Sequence, residues 1–259
     1  MCGWVPSAGQ VSLFVSVGWG DTTFYATLDG VAIEQEQPLP ADVTCVADYY
    51  SRKGFYALNV QAICDADYKF RWMSCKSPGS AHDSTAFTCT ALGQALHRAD
   101  DPLTLSLIQH GHCIASDEAY AASEMLAAPW PGGGKGDRWR DSYNFHLSSL
   151  RIHIEQAFGM LVWCWGVFWR SLRVPFAKRP GLVRACFRLH NYCRDHAATG
   201  LAPLGDDRVG GNVFFYSNDA VSAVQRGRRR DRERSVLRVR MTRRVEELGI
   251  LRPGVAPMY

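Results

Sequence analysis

Four acidic residues, Asp29, Asp83, Asp117 and Glu155, lie far apart in the chain and each sits at the margin of an apolar stretch. Carboxylates from distant positions that converge at the edge of a mixed sheet make an oxygen-rich site suited to Mg²⁺ or Mn²⁺. Two such ions can activate a water or 3′ hydroxyl and stabilise the leaving oxygen in a phosphodiester displacement. The stretch "SPGSAHDS", Ser77 to Ser84, adds a geometric hint, because its Pro-Gly pair forces a turn just before Asp83 and a helical pattern. Taken singly, each acid has a plainer role: Asp29 before Gly30 as a turn residue, Asp83 as a helix cap, and Glu155 as a partner for Arg151 one turn earlier. Asp21 rivals Asp29 but precedes the strand pattern and lacks the following glycine, while Asp65 and Asp67 fit the local hydrogen bonding of a hairpin turn.

The elements that must position these acids follow from the apolar period. "TTFYATLDGVAIEQ" reads as a first strand stopped by Pro38, and "GFYALNVQAICDAD" with "KFRWMSCKS" reads as an antiparallel hairpin. A helix from about residues 82–84 to 98 follows, then a short fourth strand over residues 113–115 with Asp117 at its carboxyl end. A Gly/Pro-rich loop leads to a helix over about 145–161, whose stripe of Leu147, Leu150, Ile154 and Phe158 places Glu155 beside the core. A last helix spans about 180–196. The order β-β-β-α-β-α-α defines an α/β fold with a mixed central sheet, three antiparallel strands and then parallel ones, flanked by helices.

Composition agrees with a folded chain: of 259 residues, 47% are hydrophobic and 21% charged. No apolar run reaches the roughly 20 residues of a membrane span, and the first 20 residues hold no Lys or Arg, the cationic start of a secretory leader, so export is not expected. Nine scattered cysteines without a CxxC pair read as reduced intracellular thiols. Ten arginines between Arg226 and Arg244 make the end of the chain strongly basic, suited to phosphate or to nuclear import. The expected division is a short segment 1–22, a domain 23–197, and a linker with a basic tail over 198–259.

Two further clusters need weighing. Cys186, His190 and Cys193 share a helical face near His196, a spacing compatible with zinc in a small interaction module, but their neighbours read as core. Trp163, Trp165, Phe168 and Trp169 could stack on bases. At helical spacing they read better as core.

"SRKGFYALNVQAICDADYKF", "SPGSAHDSTAF", "SDEAY", "RIHIEQAFGML" and "RLHNYC", in this order, resemble the DDE transposases of the PIF/Harbinger group and their domesticated nuclease relatives. The resemblance implies an RNase H-like fold and a divalent-metal-dependent endonuclease acting on DNA in the nucleus. The family's ligands fall on Asp29 in "LDG", Asp83 in "AHDS", Asp117 in "SDEAY" and Glu155 in "RIHIEQAFG", with Asp29, Asp117 and Glu155 holding two Mg²⁺ or Mn²⁺ ions and Asp83 as an additional ligand. Arg52, Lys53, Arg138, Arg140 and, in the tail, Arg228, Arg229 and Arg230 are the expected contacts to the phosphate backbone. The chain has too few residues before Asp29 for a helix-turn-helix region, so the resemblance implies a separate Myb-like DNA-binding partner, and homo-oligomers are compatible with it. Two departures stand out. Ser116 replaces the family's glycine, and "MLVWCWGVF" from Met160 to Phe168 replaces a basic stretch. The rival reading is a catalytically inactive, domesticated or decaying transposase that keeps the fold as a DNA-binding or scaffold protein.

Overall fold

The computed structural model describes residues 23–97, 112–134, 136–196 and 235–254. Strand β1, Thr23–Glu34, is followed by β2, Ala57–Cys64, and β3, Phe70–Pro78. Two short helices, α1 over Asp83–Thr88 and α2 over Ala91–Ala95, precede β4, His112–Ala115, and β5, Leu126–Ala127. Helix α3 runs over Arg138–Cys164, α4 over Arg179–Asp195 and α5 over Val236–Glu247. The strand order is β3-β2-β1-β4-β5. β2 and β3 pair antiparallel from Leu58 opposite Pro78 to Cys64 opposite Phe70, whereas β1 with β4 and β4 with β5 are parallel. The mixed α/β class expected from the sequence is the class observed.

The chain forms two compact units, with β1 and α3 each running through both. The second unit, Asp29–Ala86 with His153–Val221, carries an apolar core. In it the even positions of β2, Leu58, Val60, Ala62 and Cys64, pack with Phe70, Ile154, Ala157, Phe158, Leu161, Val183 and Phe187. Side chains alternate across a strand, so Asn59 and Gln61 share the opposite face. Asn191 of α4 closes the hairpin, accepting the Phe70 N–H and donating to the Phe70 carbonyl, both at 2.8 Å.

The first unit joins β1 through Leu28, Phe87–Ile152 and the C-terminal helix. Its centre is a polar knot around Ala128 and Trp130. The Ala128 carbonyl accepts from Tyr143 Oη at 3.2 Å and from Arg238 Nε at 3.0 Å, and Trp130 Nε1 donates to Thr242 Oγ1 at 2.7 Å. These contacts divide the chain differently from the linear division into domain and tail, since α5 from the basic stretch buries Leu237, Arg238, Met241 and Val245.

Several element bounds differ from expectation. The helix expected over 82–98 breaks at Cys89 and Thr90, because Thr90 Oγ1 turns back to cap α2, accepting the Gly93 N–H at 3.0 Å. α3 starts earlier than 145, since Asp137 Oδ1 accepts the Trp139 and Arg140 N–H groups and nucleates its first turn. The two-residue β5 escaped notice because so short a run carries no period. The aromatic run divides: Trp165 and Phe168 pack partly buried against the core as expected, whereas Trp163 is 57% and Trp169 65% exposed. α3 ends at Cys164 and the chain tightens into a 3₁₀ turn over Gly166–Trp169, so helical spacing does not extend through it.

Candidate metal and nuclease site

Asp83 begins α1 directly after the turn that the Pro-Gly pair makes. Gly79 is required there because a Cβ would lie 2.8 Å from the carbonyl oxygens of both Ala57 and Tyr49. The Ala81 N–H donates to the Pro78 carbonyl at 3.0 Å, which closes the turn and delivers Asp83 to the polar face of β2. There Asn59 Nδ2 and Gln61 Nε2 donate to Asp83 Oδ1 at 2.9 and 3.0 Å. The same oxygen lies against Gly30, where an added Cβ would stand 2.5 Å away. Asp83 is 6% exposed and Asp29 7%. Asp29 lies within β1, and its Oδ1 accepts the Gly30 N–H at 2.7 Å. The structure thus brings Asp83 against the Asp29–Gly30 segment of β1.

Lys53 belongs to the same surroundings. Burial lowers its pKa from the ordinary lysine value, and the Asp83 and Asp29 carboxylates pull in the opposite direction. Glu155 lies half-buried in α3, also in the second unit. Asp117 follows β4 by two residues in the first unit, 8% exposed, with Oδ1 accepting the Ala119 N–H at 2.8 Å. Among the described residues no group of three or more His, Cys, Asp or Glu side chains is gathered closely enough to hold a metal ion. As a donor set the four acids offer only carboxylate oxygens, the ligand type that a hard divalent cation takes. A groove lined by Asp42, Thr44, Asp48, Tyr49 and Pro78 includes none of the four acids.

The expected DNA contacts are placed unevenly. Arg52 and Arg140 are exposed, while Lys53 and Arg138 are half-buried. Arg140 pairs with Asp137 at 3.2 Å and lies over the Trp130 ring at 4.2 Å. Arg228, Arg229 and Arg230 lie outside the described residues. Cys186 and His190 are buried, and His190 Nε2 meets the Tyr68 carbonyl at 2.8 Å, a structural use of the ring rather than a zinc site. The described cysteines are free thiols, and burial pushes Cys113 up to about 12. No described helix is long and apolar enough to cross a membrane. Sequence reasoning missed Asn59 and Gln61, whose signal was available: two amides at i and i+2 inside the otherwise apolar "ALNVQAIC".

Residues 28–191, well over half of the chain, match the family of DDE superfamily endonucleases. The chain belongs to that family, which carries transposase-like nuclease chemistry on DNA and generally employs divalent metals. No curated protein and no solved structure matched the chain significantly.

Proposed function

We propose that this chain is a DNA-cleaving enzyme of the PIF/Harbinger kind, built on an RNase H-like sheet and acting through Asp29, Asp117 and Glu155 with Asp83 as an additional ligand. The observation that carries the reading is the placement of buried Asp83 against the Asp29–Gly30 segment inside the stretch that matches the endonuclease family. What two Mg²⁺ or Mn²⁺ ions supply when bound is activation of a water or 3′ hydroxyl and neutralisation of charge on the leaving oxygen. The chain's own part is to orient the carboxylates and hold the substrate. Arg52, Lys53, Arg138, Arg140 and the tail arginines Arg228, Arg229 and Arg230 neutralise backbone phosphates, so affinity falls steeply with salt. Target choice falls to a Myb-like DNA-binding partner, with self-association available to bring two DNA ends together, and the basic stretch directs the protein to the nucleus.

One observation favours the second reading, an inactive DNA-binding or scaffold protein. At the end of the helix of Glu155 and just past it the surface presents Trp163 and Trp169 where the resembling family carries cations. The test is nicking of supercoiled plasmid by the purified protein with Mg²⁺ or Mn²⁺, beside Glu155→Gln. Metal-dependent nicking that vanishes in the variant establishes the enzyme and the site together. A folded, DNA-binding protein that nicks in neither form, with its partner supplied, establishes the scaffold.

A further inference from the structure

The polar face of β2 carries four N–H donors, and each is used in one direction. Asn59 Nδ2 donates to the Ala81 carbonyl and to Asp83 Oδ1, both at 2.9 Å. A backbone carbonyl can only accept, so this bond fixes which end of the Asn59 amide faces Ala81. Asn59 Oδ1 is thereby turned to Gln61 Nε2, which donates to it at 2.6 Å and to Asp83 Oδ1 at 3.0 Å. The orientation of each amide is set by a neighbour, and both converge on the same oxygen of Asp83. The backbone of Gly30 lies against that oxygen and Gln61 Nε2 as well.

We infer that Asn59 and Gln61 are positioning residues for Asp83: by both donating to Oδ1 they fix the plane in which the carboxylate meets a divalent cation. The inference rests on the reading of Asp83 as a ligand. A carboxylate oxygen has about two lone-pair sites, and two charge-assisted donors occupy them. Partners of this kind orient a ligand, and their loss typically lowers metal affinity about 10- to 100-fold.

The experiment titrates the purified full chain with Mn²⁺ alone, by calorimetry or by the electron paramagnetic resonance signal of free Mn²⁺, and records metal-free melting in parallel. Gln61→Met keeps the side-chain length and removes the donor. It should weaken Mn²⁺ binding about 10- to 100-fold, Asp83→Asn should weaken it at least as much, and Gln61→Met should add nothing once Asp83 is Asn. Asn59→Ala, which leaves less bulk on the same face, serves as the second variant and should weaken Mn²⁺ binding alike. If the amides only satisfy a buried acid, Gln61→Met and Asn59→Ala lower the melting temperature while Mn²⁺ affinity stays at the wild-type value and Asp83→Asn still weakens it. That result overturns the inference and leaves the site reading intact. Wild-type Mn²⁺ affinity in Asp83→Asn overturns the site reading itself, and the inference with it.

Discussion

Replacing Gly30 by Ala tests how tightly the β1 backbone is pressed against Asp83. The new methyl would stand 2.5 Å from Asp83 Oδ1 and no farther from Gln61 Nε2, inside the 3.0 Å that Cβ atoms essentially never breach. Both obstacles are side-chain ends, which ordinarily retreat cheaply. Here they cannot retreat independently, because Gln61 Nε2 is bound to Asn59 Oδ1 and Asp83 Oδ1, and that same carboxylate oxygen also takes Asn59 Nδ2. The carboxylate must therefore move by at least about half an ångström to regain a normal contact distance, and at least one buried hydrogen bond breaks. The stability cost is about 1–3 kcal/mol from overpacking, or roughly 2–4 °C of melting temperature per kcal/mol. The functional cost is larger, since a displacement approaching 1 Å at a reacting centre can lower the rate about 100-fold. Single-turnover nicking, with circular-dichroism melting and DNA binding as controls, reads both quantities. The variant should stay folded, bind DNA as the wild type does, and cleave about two orders of magnitude more slowly. A Gly30→Ala protein that melts and nicks as the wild type does would refute the packing argument.

Other outcomes follow from different parts of the molecule. Arg238, only 1% exposed, donates to the Ala128 carbonyl and lies 5.1 Å from the Trp130 ring centroid, so Arg238→Ala should destabilise the protein by about 2–4 kcal/mol in urea unfolding. Arg52 is exposed, and Arg52→Ala should reduce the slope of log affinity for DNA against log salt by about one. An unchanged slope would remove Arg52 from the phosphate contacts. Burial lowers the His190 pKa below its ordinary value of 6.5 in the folded state. The unfolded chain then binds more protons as pH falls below that value, so stability present above it declines toward the folded pKa. The urea midpoint should drop between about pH 7.5 and pH 5.5 and drop less in His190→Gln, with His97 and His146, shifted the same way by burial, supplying the remainder.

Much of the fold was legible because its signals are local. The stripe of Leu147, Leu150, Ile154 and Phe158 on α3 reports burial directly, and Asp83 follows a Pro-Gly pair that admits little besides a turn. The failures share a cause, which is that a side chain chose a partner no period records. Thr90 capped a second helix instead of continuing the first, and Asp137 began α3 ahead of its apolar stripe. The basic stretch concealed the largest surprise. Its arginines dominate any reading of charge, yet Leu237, Met241 and Val245 recur at helical spacing and carry Arg238 inward with them.

The same logic explains why the sequence points to the acids and not to the amides beside Asp83. Asp29, Asp83, Asp117 and Glu155 announce themselves by charge beside apolar sequence, whereas an amide in a strand usually means an edge or a solvent-facing position. β2 contradicts that expectation because all eight of its residues are buried, Asn59 and Gln61 included. Buried amides must bond to something, and on this face the acceptors are Ala81 at the turn and Asp83 beyond it. The hairpin therefore does more than extend the sheet. The residue after Asp29 must be glycine to admit the Asp83 carboxylate, and the strand beside it must offer amides to hold that carboxylate, so "LDG", "LNVQ" and "AHDS" constrain one another across more than fifty residues of sequence. A change in any one of them that leaves the charge intact should still disturb the others, which is why cation affinity, rather than the count of acids, is the quantity that reports whether this site is built to work.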